Sequence, residues 1–263
     1  MEYDFKDGNG PVPAHKHSNG GGWVADTATV AETAYVGPYA KVSGYAKVYG
    51  CAQVYGCAKV SGYAEVSGYA KVSGYAEVSE DAQVSGYAEV SENAKVSGYA
   101  KVSGYARVYG GAEVSENAKV YGCAKVYRYA RVSGYAKVSG YARVSENARV
   151  YGGAEVSENA RVSGYAEVSE DAQVYGNARV YGNARVSGGV YLKRGEYSKT
   201  PTSINRSDGY TFTMQSDMSI VSGCRDFTLE EAESYWGNPE HHLYKESYSI
   251  LKALITIHKA KEI

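Results

Sequence analysis

The sequence predicts a parallel β-helix over about Ala28 to Gly189, and three observations indicate this fold class. Alanine recurs every six residues from Ala28 to Ala184 without a miss. Valine follows each alanine two positions later, from Val30 to Val186. A turn pair completes every hexad, so each repeat is a short strand plus a bend. An α-helix does not fit, because its period of 3.6 does not divide six and the bends would break it.

The hexad consensus, A-x-V-S-G-Y, assigns a direction to each side chain. Ala and Val alternate with a Lys, Glu, Arg or Gln, so Ala and Val point inward and the charged residue points to water. The corner pairs are Gly-Tyr, Glu-Asn, Glu-Asp, Gly-Gly, Gly-Asn or Gly-Cys, all able to turn the chain. Proline is absent from Tyr39 to Thr200, as expected where each backbone N–H bonds a neighbouring coil.

Taken from valine, the pattern V-x-x-x-A-x resembles the hexapeptide-repeat family. The resemblance implies a left-handed parallel β-helix with three hexads per triangular coil, here about nine to ten coils. The chain also resembles a phage- or prophage-encoded subgroup of near-pure A-x-V-x-G-N hexads that are named acetyltransferases. The segments His15–Ala28 and Gly223–Ala232 look like theirs. The family mostly transfers acyl groups, with a histidine in or beside the coils as general base.

Three parts are predicted: an N-terminal lead-in and end plug (1–23), the β-helix (24–190) and a small α+β cap (191–263). Trp23 is the expected plug, because the open end of a β-helix needs a cover. In the cap we expect a hairpin turn at 207–210, strands at 210–215 and 219–222, and a helix opened by the capping box Thr228–Glu231. A second helix from Asn238 to about Lys261 carries a broad apolar face that must bury against the solenoid end or another subunit.

Composition limits the classes of function. The net charge of −1 favours neither nucleic acid nor a membrane surface, so we expect no membrane contact and no nucleic-acid partner. The polar N-terminus is unlike a signal peptide, and no apolar stretch is long enough to span a bilayer. We expect a cytoplasmic protein (the host cytoplasm if phage-encoded). Its cysteines, at 51, 57, 123 and 224, are expected to be free thiols.

Histidines are the test of acyl transfer, and none lies between Val24 and Trp236. We therefore predict no catalytic residue in the chain. His15 and His17 form an H-x-H pair that either binds metal or lies in a flexible lead-in, and we favour the second. His241 and His242 point different ways on a helix and are interpreted as surface or interface residues.

Three sets of residues are candidates for binding. Arg225, Asp226, Tyr235 and Trp236 bracket the short cap helix and suggest a small anionic or nucleotide-like ligand. At 18 residues per coil, five cations form a basic stripe on one face, which either is solvated or meets an anionic partner: Arg107, Lys125, Arg143, Arg161 and Arg179. Tyr69, Tyr87 and Tyr105 fall in one column, either as a platform for sugars or bases or as corner shielding, which we favour.

These observations favour a non-enzymatic rigid rod with a C-terminal recognition or oligomerisation cap, without cofactor or metal. We expect homo-oligomers held through residues 191–263. The first alternative is a ligand-sequestering binding protein that uses the cap or a subunit interface. The second is a hexapeptide-type acyltransferase that lacks an evident catalytic histidine.

Overall fold

The structure is a computed structural model that describes residues 1–222, 225–241 and 243–261. Its central part is a parallel β-helix of ten coils, each giving one two-to-four-residue strand to each of three faces. The prediction of a left-handed parallel β-helix with three hexads per coil and a small α+β cap is confirmed. Cys224, His242 and the last two residues lie outside the described residues, so the expectations for Cys224 and His242 are not addressed.

The first face consists of the strands Glu2–Asp4, Pro11–Lys16, Trp23–Ala25, Lys41–Val42, Lys59–Val60, Glu77–Val78, Lys95–Val96, Glu113–Val114, Arg131–Val132, Arg149–Val150, Glu167–Val168 and Arg185–Val186. The second face consists of Thr29–Val30, Lys47–Val48, Glu65–Val66, Gln83–Val84, Lys101–Val102, Lys119–Val120, Lys137–Val138, Glu155–Val156, Gln173–Val174 and Tyr191–Leu192. The third face consists of Tyr35–Val36, Gln53–Val54, Lys71–Val72, Glu89–Val90, Arg107–Gly110, Lys125–Arg128, Arg143–Val144, Arg161–Val162, Arg179–Val180 and Glu196–Tyr197.

Register between coils is set by the 18-residue winding. Val102, for example, pairs with Val84 on one side and Val120 on the other, and Lys101 pairs with Gln83 and Lys119. The valines and alanines of the coils from Ala34 onward are fully or almost fully buried, while the intervening side chains reach solvent. Columns of Val and Ala therefore form one continuous core along the rod.

The corners explain why glycine recurs. Gly98 has φ +67°, and a Cβ added there would lie 2.7 Å from the backbone nitrogen of Glu116 in the next coil. Glutamate occupies the same left-handed conformation at six corners: Glu80, Glu92, Glu116, Glu146, Glu158 and Glu170. Each of these glutamates has glycine at the equivalent corner one coil later. In Glu80, the carboxylate accepts a hydrogen bond from the Gly98 N–H at 2.7 Å, which offsets part of the backbone strain.

The predicted tyrosine column is confirmed. The rings of Tyr69, Tyr87 and Tyr105 stack at centroid distances of 5.0 and 5.1 Å, and Tyr109 stacks on Tyr127 at 5.1 Å. Stacked rings cover one another's faces and leave their edges and hydroxyls to solvent.

The N-terminal segment adds two antiparallel strands to the first face. Pro11–Lys16 pairs with Trp23–Ala25, and Glu2–Asp4 pairs with Pro11–Lys16 in turn. Trp23, the expected plug, pairs in register with the outward Lys41 and stacks on Tyr3 at 4.2 Å. Trp23 therefore lies on the outer side of this face and not over the end of the core.

The cap is a four-stranded antiparallel sheet of Ser203–Asn205, Thr211–Met214, Ile220–Ser222 and Arg225–Phe227, with helices α1 (Leu229–Trp236) and α2 (Tyr244–Lys261). The capping box at Thr228 is confirmed. The apolar face of α2 packs on this sheet and on α1, with Leu251 and Leu254 fully buried. The expectation that this face must bury against the solenoid end or another subunit was therefore wrong.

Gln215 fastens the cap to the last coil. Its side chain is fully buried, accepts the Lys193 N–H at 3.1 Å and donates to the Tyr191 carbonyl at 2.8 Å. Tyr197 donates its hydroxyl hydrogen to the same side-chain oxygen, and burial raises the pKa of this phenol.

Across the described ranges, neither helix has the length and apolar character that a membrane span requires.

Candidate functional site

The N-terminal end of the β-helix holds a histidine–aspartate pair. The Nδ1 atom of His15 lies 2.7 Å from Oδ1 of Asp26. His15 belongs to the antiparallel strand Pro11–Lys16, and Asp26 directly follows the strand that pairs with it. The Asp26 N–H donates to the Pro13 carbonyl at 2.9 Å, so backbone pairing holds both side chains at this spacing.

The register places His15 over the open end of the coil. His15 stands opposite Val24, and opposite residues of an antiparallel pair point to the same side. Val24 points into the core, so His15 lies on the inner side, beyond the first coil. The side chains of His15 and Asp26 are about half exposed, at 55% and 53%. Ala28 and Val30, which pack against the core but remain partly exposed, form an apolar floor at this end of the rod.

A carboxylate on Nδ1 determines what the imidazole can do. Nδ1 donates its hydrogen to Asp26, so the neutral ring presents Nε2 as a proton acceptor. The carboxylate also stabilises the imidazolium that forms when Nε2 takes a proton. The pair therefore has the arrangement of a general base with an orienting acid.

His17 has a structural environment. Its ring is buried, and Nδ1 lies 3.1 Å from the backbone carbonyl oxygen of Asn19. The side-chain amide of Asn19 in turn donates to the Ala34 carbonyl in the first coil. His15 and His17 thus have separate partners, and the lead-in that we expected to be flexible is a paired strand. Over residues 1–222, 225–241 and 243–261 no group of three or more His, Cys, Asp or Glu side chains is placed to hold a metal ion.

In the cap, the structure brings together three of the four predicted ligand-binding residues. Arg225, Tyr235 and Trp236 line one pocket of about 510 Å³. Arg225 donates to the Tyr235 hydroxyl at 2.7 Å, and its guanidinium lies 5.4 Å from the centre of that ring. Asp226 lies apart from this pocket, because it pairs with Lys193 and Arg194 of the last coil. It is therefore a link between cap and rod.

A second arginine lines the same pocket. Arg206 donates to both carboxylate oxygens of Asp208, at 2.9 and 2.6 Å, and to the Ser247 hydroxyl at 2.8 Å. Its guanidinium lies 5.2 Å from the Tyr210 ring centre. The hydrogen bonds from Arg206 lower the pKa of Asp208 to about 2. Two guanidinium groups, one of them paired with Asp208, and several aromatic rings thus line one pocket.

The basic stripe lies as the winding predicts. Arg107, Lys125, Arg143, Arg161 and Arg179 pair in succession along the third face. Arg107 forms an ion pair with Glu89 at 3.2 Å, and Arg179 pairs with Glu196 at 2.9 Å. The three cations between them have no ion pair within the part of the chain that the structure describes.

Comparison with known proteins adds information on the fold. The YdcK β-solenoid repeat matches residues 172–188 and 178–191. No curated protein has a matching sequence. Among solved structures, the chain is similar to the Francisella novicida UDP-N-acetylglucosamine acyltransferase, at 14% identity and TM-score 0.37, over 57% of this chain and 64% of that one. The match therefore spans just under two thirds of the Francisella enzyme.

Two further structures have the same character. The Arabidopsis UDP-N-acetylglucosamine acyltransferase is 12% identical, with TM-score 0.31, over 89% of this chain and 92% of that one. A Bacillus cereus protein described as an acetyltransferase is 11% identical, with TM-score 0.28, over 78% and 96%. At these values the likeness concerns the β-helix and does not identify a substrate.

These comparisons contradict our leading hypothesis of a non-enzymatic rod. The solved structures that are similar to the chain are acyltransferases or an acetyltransferase. The expectation that the protein is not an enzyme finds no support in these comparisons. The second alternative, an acyltransferase of the hexapeptide type, agrees better with them.

The sequence interpretation missed the His15–Asp26 pair because it searched for a histidine inside the repeats. The two residues are eleven positions apart, and only the antiparallel pairing of the lead-in brings them together. One sequence signal could have located the strand that carries His15. In the segment Pro11–Lys16, ahead of the first hexads, the apolar residues Val12 and Ala14 are two positions apart, which is typical of a strand.

Proposed function

We propose that the protein is an acyltransferase in which His15, oriented by Asp26, is the general base. The observation that carries this proposal is the 2.7 Å contact between His15 Nδ1 and Asp26 Oδ1 at the end of the rod. Two features of the sequence count against acyl transfer: no histidine lies between Val24 and Trp236, and no loop interrupts the coils to form a pocket between subunits. A histidine beside the first coil, with a carboxylate on Nδ1, answers the first of these, and the open end of the rod takes the place of a pocket between coils.

The chemistry follows from the geometry of the pair. Nε2 of His15 takes the proton from an acceptor hydroxyl or amine as its oxygen or nitrogen attacks the carbonyl carbon of an acyl thioester. The carbon–sulfur bond breaks, and the leaving thiolate takes the proton back from Nε2. Asp26 keeps Nδ1 protonated throughout and stabilises the transient imidazolium; it does not itself take the proton.

The experiment measures thiol release from acetyl-CoA in the presence of a panel of hydroxyl and amine acceptors. The panel includes UDP-N-acetylglucosamine, the substrate named for two of the similar structures. His15→Asn should lower kcat/KM by roughly 10²- to 10⁴-fold, the usual contribution of a general base. Asp26→Asn should cause a smaller loss, of at least about tenfold, because the ring loses its orientation.

The matched control is Lys16→Ala, on the same strand but the opposite side. Lys16 pairs in register with Trp23 on the outer side, so its loss should leave the rate within about twofold. Wild-type protein that releases no thiol above background with any acceptor would refute the proposal. So would equal rates for wild type and His15→Asn.

We also propose that the cap pocket binds a small anionic, nucleotide-like ligand. In this pocket Arg225 supplies charge-assisted hydrogen bonds, whereas Arg206 is already paired with Asp208, which also lines the pocket. Tyr210, Tyr235 and Trp236 supply ring surface. With ADP as probe, a Trp23→Phe protein reports binding through Trp236 fluorescence. Arg225→Gln should weaken binding at least about tenfold, while Lys245→Gln on α2 should not. A fluorescence signal that does not saturate with ADP, or one unchanged by Arg225→Gln, would contradict this function.

Homo-oligomerisation through residues 191–263 completes the proposal. The three rod faces carry charged side chains in nearly every coil, and packing such faces together would desolvate many charges. Two large side chains of α2, Tyr248 and Ile257, are instead exposed, on opposite flanks of its buried face. A phage or prophage origin stays a prediction.

A further inference from the structure

The third face of the rod carries an uncompensated row of positive charge. Lys125, Arg143 and Arg161, here named the open triplet, pair in register in three successive coils. Parallel strands lie about 4.8 Å apart, so the three cations form a straight line at that spacing. At such distances like charges repel, and no carboxylate on the same face offsets them between Glu89 and Glu196.

Elsewhere on the rod, a cation usually faces a carboxylate one coil away. Lys59 pairs with Glu77 at 3.1 Å, Arg131 with Glu113 at 3.3 Å, and Lys137 with Glu155 at 2.7 Å. The stripe itself follows this pattern at both ends, through Glu89 and Glu196. The open triplet therefore departs from this pairing, as Lys101 and Lys119 of the second face also do, and it differs from them in containing two arginines.

We infer that the open triplet is a binding surface for an acidic polysaccharide, a linear chain with an acid group on successive sugar rings. Such a chain laid along the rod axis would meet one cation per coil. The two arginines can grip a carboxylate or sulfate with paired N–H groups. Polar side chains at the corners border the row, including Tyr127, Tyr141 and Asn159, and these can hydrogen-bond sugar hydroxyls. Two carboxylates also lie at these corners: Glu146, which is paired with Arg128, and Glu158.

The tyrosines favour a sugar polymer over single-stranded nucleic acid. Nucleic-acid grooves of this kind stack successive bases on free aromatic faces. Here Tyr109 and Tyr127 stack on each other at 5.1 Å, so their facing surfaces are already covered. Tyr141, with Cys123 and Asn159 as column neighbours, offers one ring beside Arg143. One ring can contact one sugar but cannot hold a run of bases.

The test compares two triple variants with the same change of net charge. The first replaces the open triplet with glutamine. The second replaces three stacked lysines of the second face, here named the lysine triplet: Lys101, Lys119 and Lys137. Binding of a fluorescein-labelled heparin oligosaccharide is measured by anisotropy at several salt concentrations, beside a labelled dT oligonucleotide of equal charge.

Loss of the open triplet should weaken heparin binding at least about tenfold and reduce the slope of log affinity against log salt by roughly two to three. Loss of the lysine triplet should change affinity less than about threefold. Equal losses in both variants would mean that net charge alone drives binding and would overturn the inference. Binding of the dT oligonucleotide as tight as that of heparin would overturn it too, as would no heparin binding by wild-type protein at low salt.

Discussion

A single substitution in the middle of the rod, Val102→Asp, tests the inward and outward assignments of the hexads. Val102 is fully buried between Val84 and Val120 of the adjoining coils. Losing a buried valine side chain costs roughly 1.5–3 kcal/mol. A carboxyl group in its place can avoid a buried charge only by binding a proton, which costs about 4 kcal/mol at pH 7.

The neutral carboxyl group would still lack a hydrogen-bond partner, which adds about 1–3 kcal/mol. The expected loss is therefore roughly 7 kcal/mol or more, comparable to the whole stability of many domains. Chemical denaturation followed by circular dichroism should show a protein that is unfolded or locally open in the middle coils.

The matched control is Lys101→Glu, one residue away. Lys101 is exposed and lies between Gln83 and Lys119, so a glutamate there gains a neighbouring cation and loses no ion pair among the described residues. Its free energy of unfolding should change by less than about 0.5 kcal/mol. Comparable losses in both variants would refute the alternation of buried and exposed positions.

Three further predictions concern the corners, the cap and the assembly. Glu80→Ala keeps the left-handed strain but removes the hydrogen bond to Gly98, so it should lower the unfolding free energy by about 1–2 kcal/mol in thermal melts, whereas Glu80→Gly should be nearly neutral. The depressed pKa of Asp208, about 2, means that its contribution to stability is present above about pH 4 and is lost as the pH falls towards 2. Asp208→Asn should therefore reduce the fall in unfolding free energy between about pH 4 and pH 2. An unchanged fall would mean that other carboxylates cause it. Ile257→Lys should reduce the oligomer mass measured by light scattering, and an unchanged mass would exclude this part of α2 from the interface.

Much of the rod could be predicted because one short period specifies it. The six-residue phase determines that Val102 points inward, that Lys101 points outward, and that the stripe cations lie in register. The capping box Thr228–Glu231 was predictable for a similar reason, since its signal is local.

The start of α2 shows where local signals compete. The sequence suggested a helix from Asn238, but the helix begins at Tyr244. The Asn238 side chain instead accepts the Glu240 N–H at 3.0 Å, and Leu243 has φ 57°, which is incompatible with a helical turn. Asn238 therefore stabilises a turn, which the spacing of apolar residues does not predict.

The candidate sites depend on contacts that no period encodes. His15 meets Asp26 through an antiparallel strand outside the repeat, and Arg206 reaches the pocket of Arg225 through the fold of the cap sheet. Such contacts are specified by tertiary packing. The sequence therefore identifies the candidate residue types but does not predict which of them lie in contact.

Chemical rescue of His15→Ala by imidazole tests the proposed acyl transfer most directly. The variant removes the ring beside Asp26 and leaves a space that free imidazole can enter from solvent, because His15 is about half exposed. The assay is thiol release from acetyl-CoA with the acceptor that wild-type protein uses. We predict that millimolar imidazole restores part of the lost rate in His15→Ala and gives no comparable gain in Lys16→Ala. Full activity of His15→Ala without imidazole, or equal gains in both variants, would contradict the assignment of His15 as the general base.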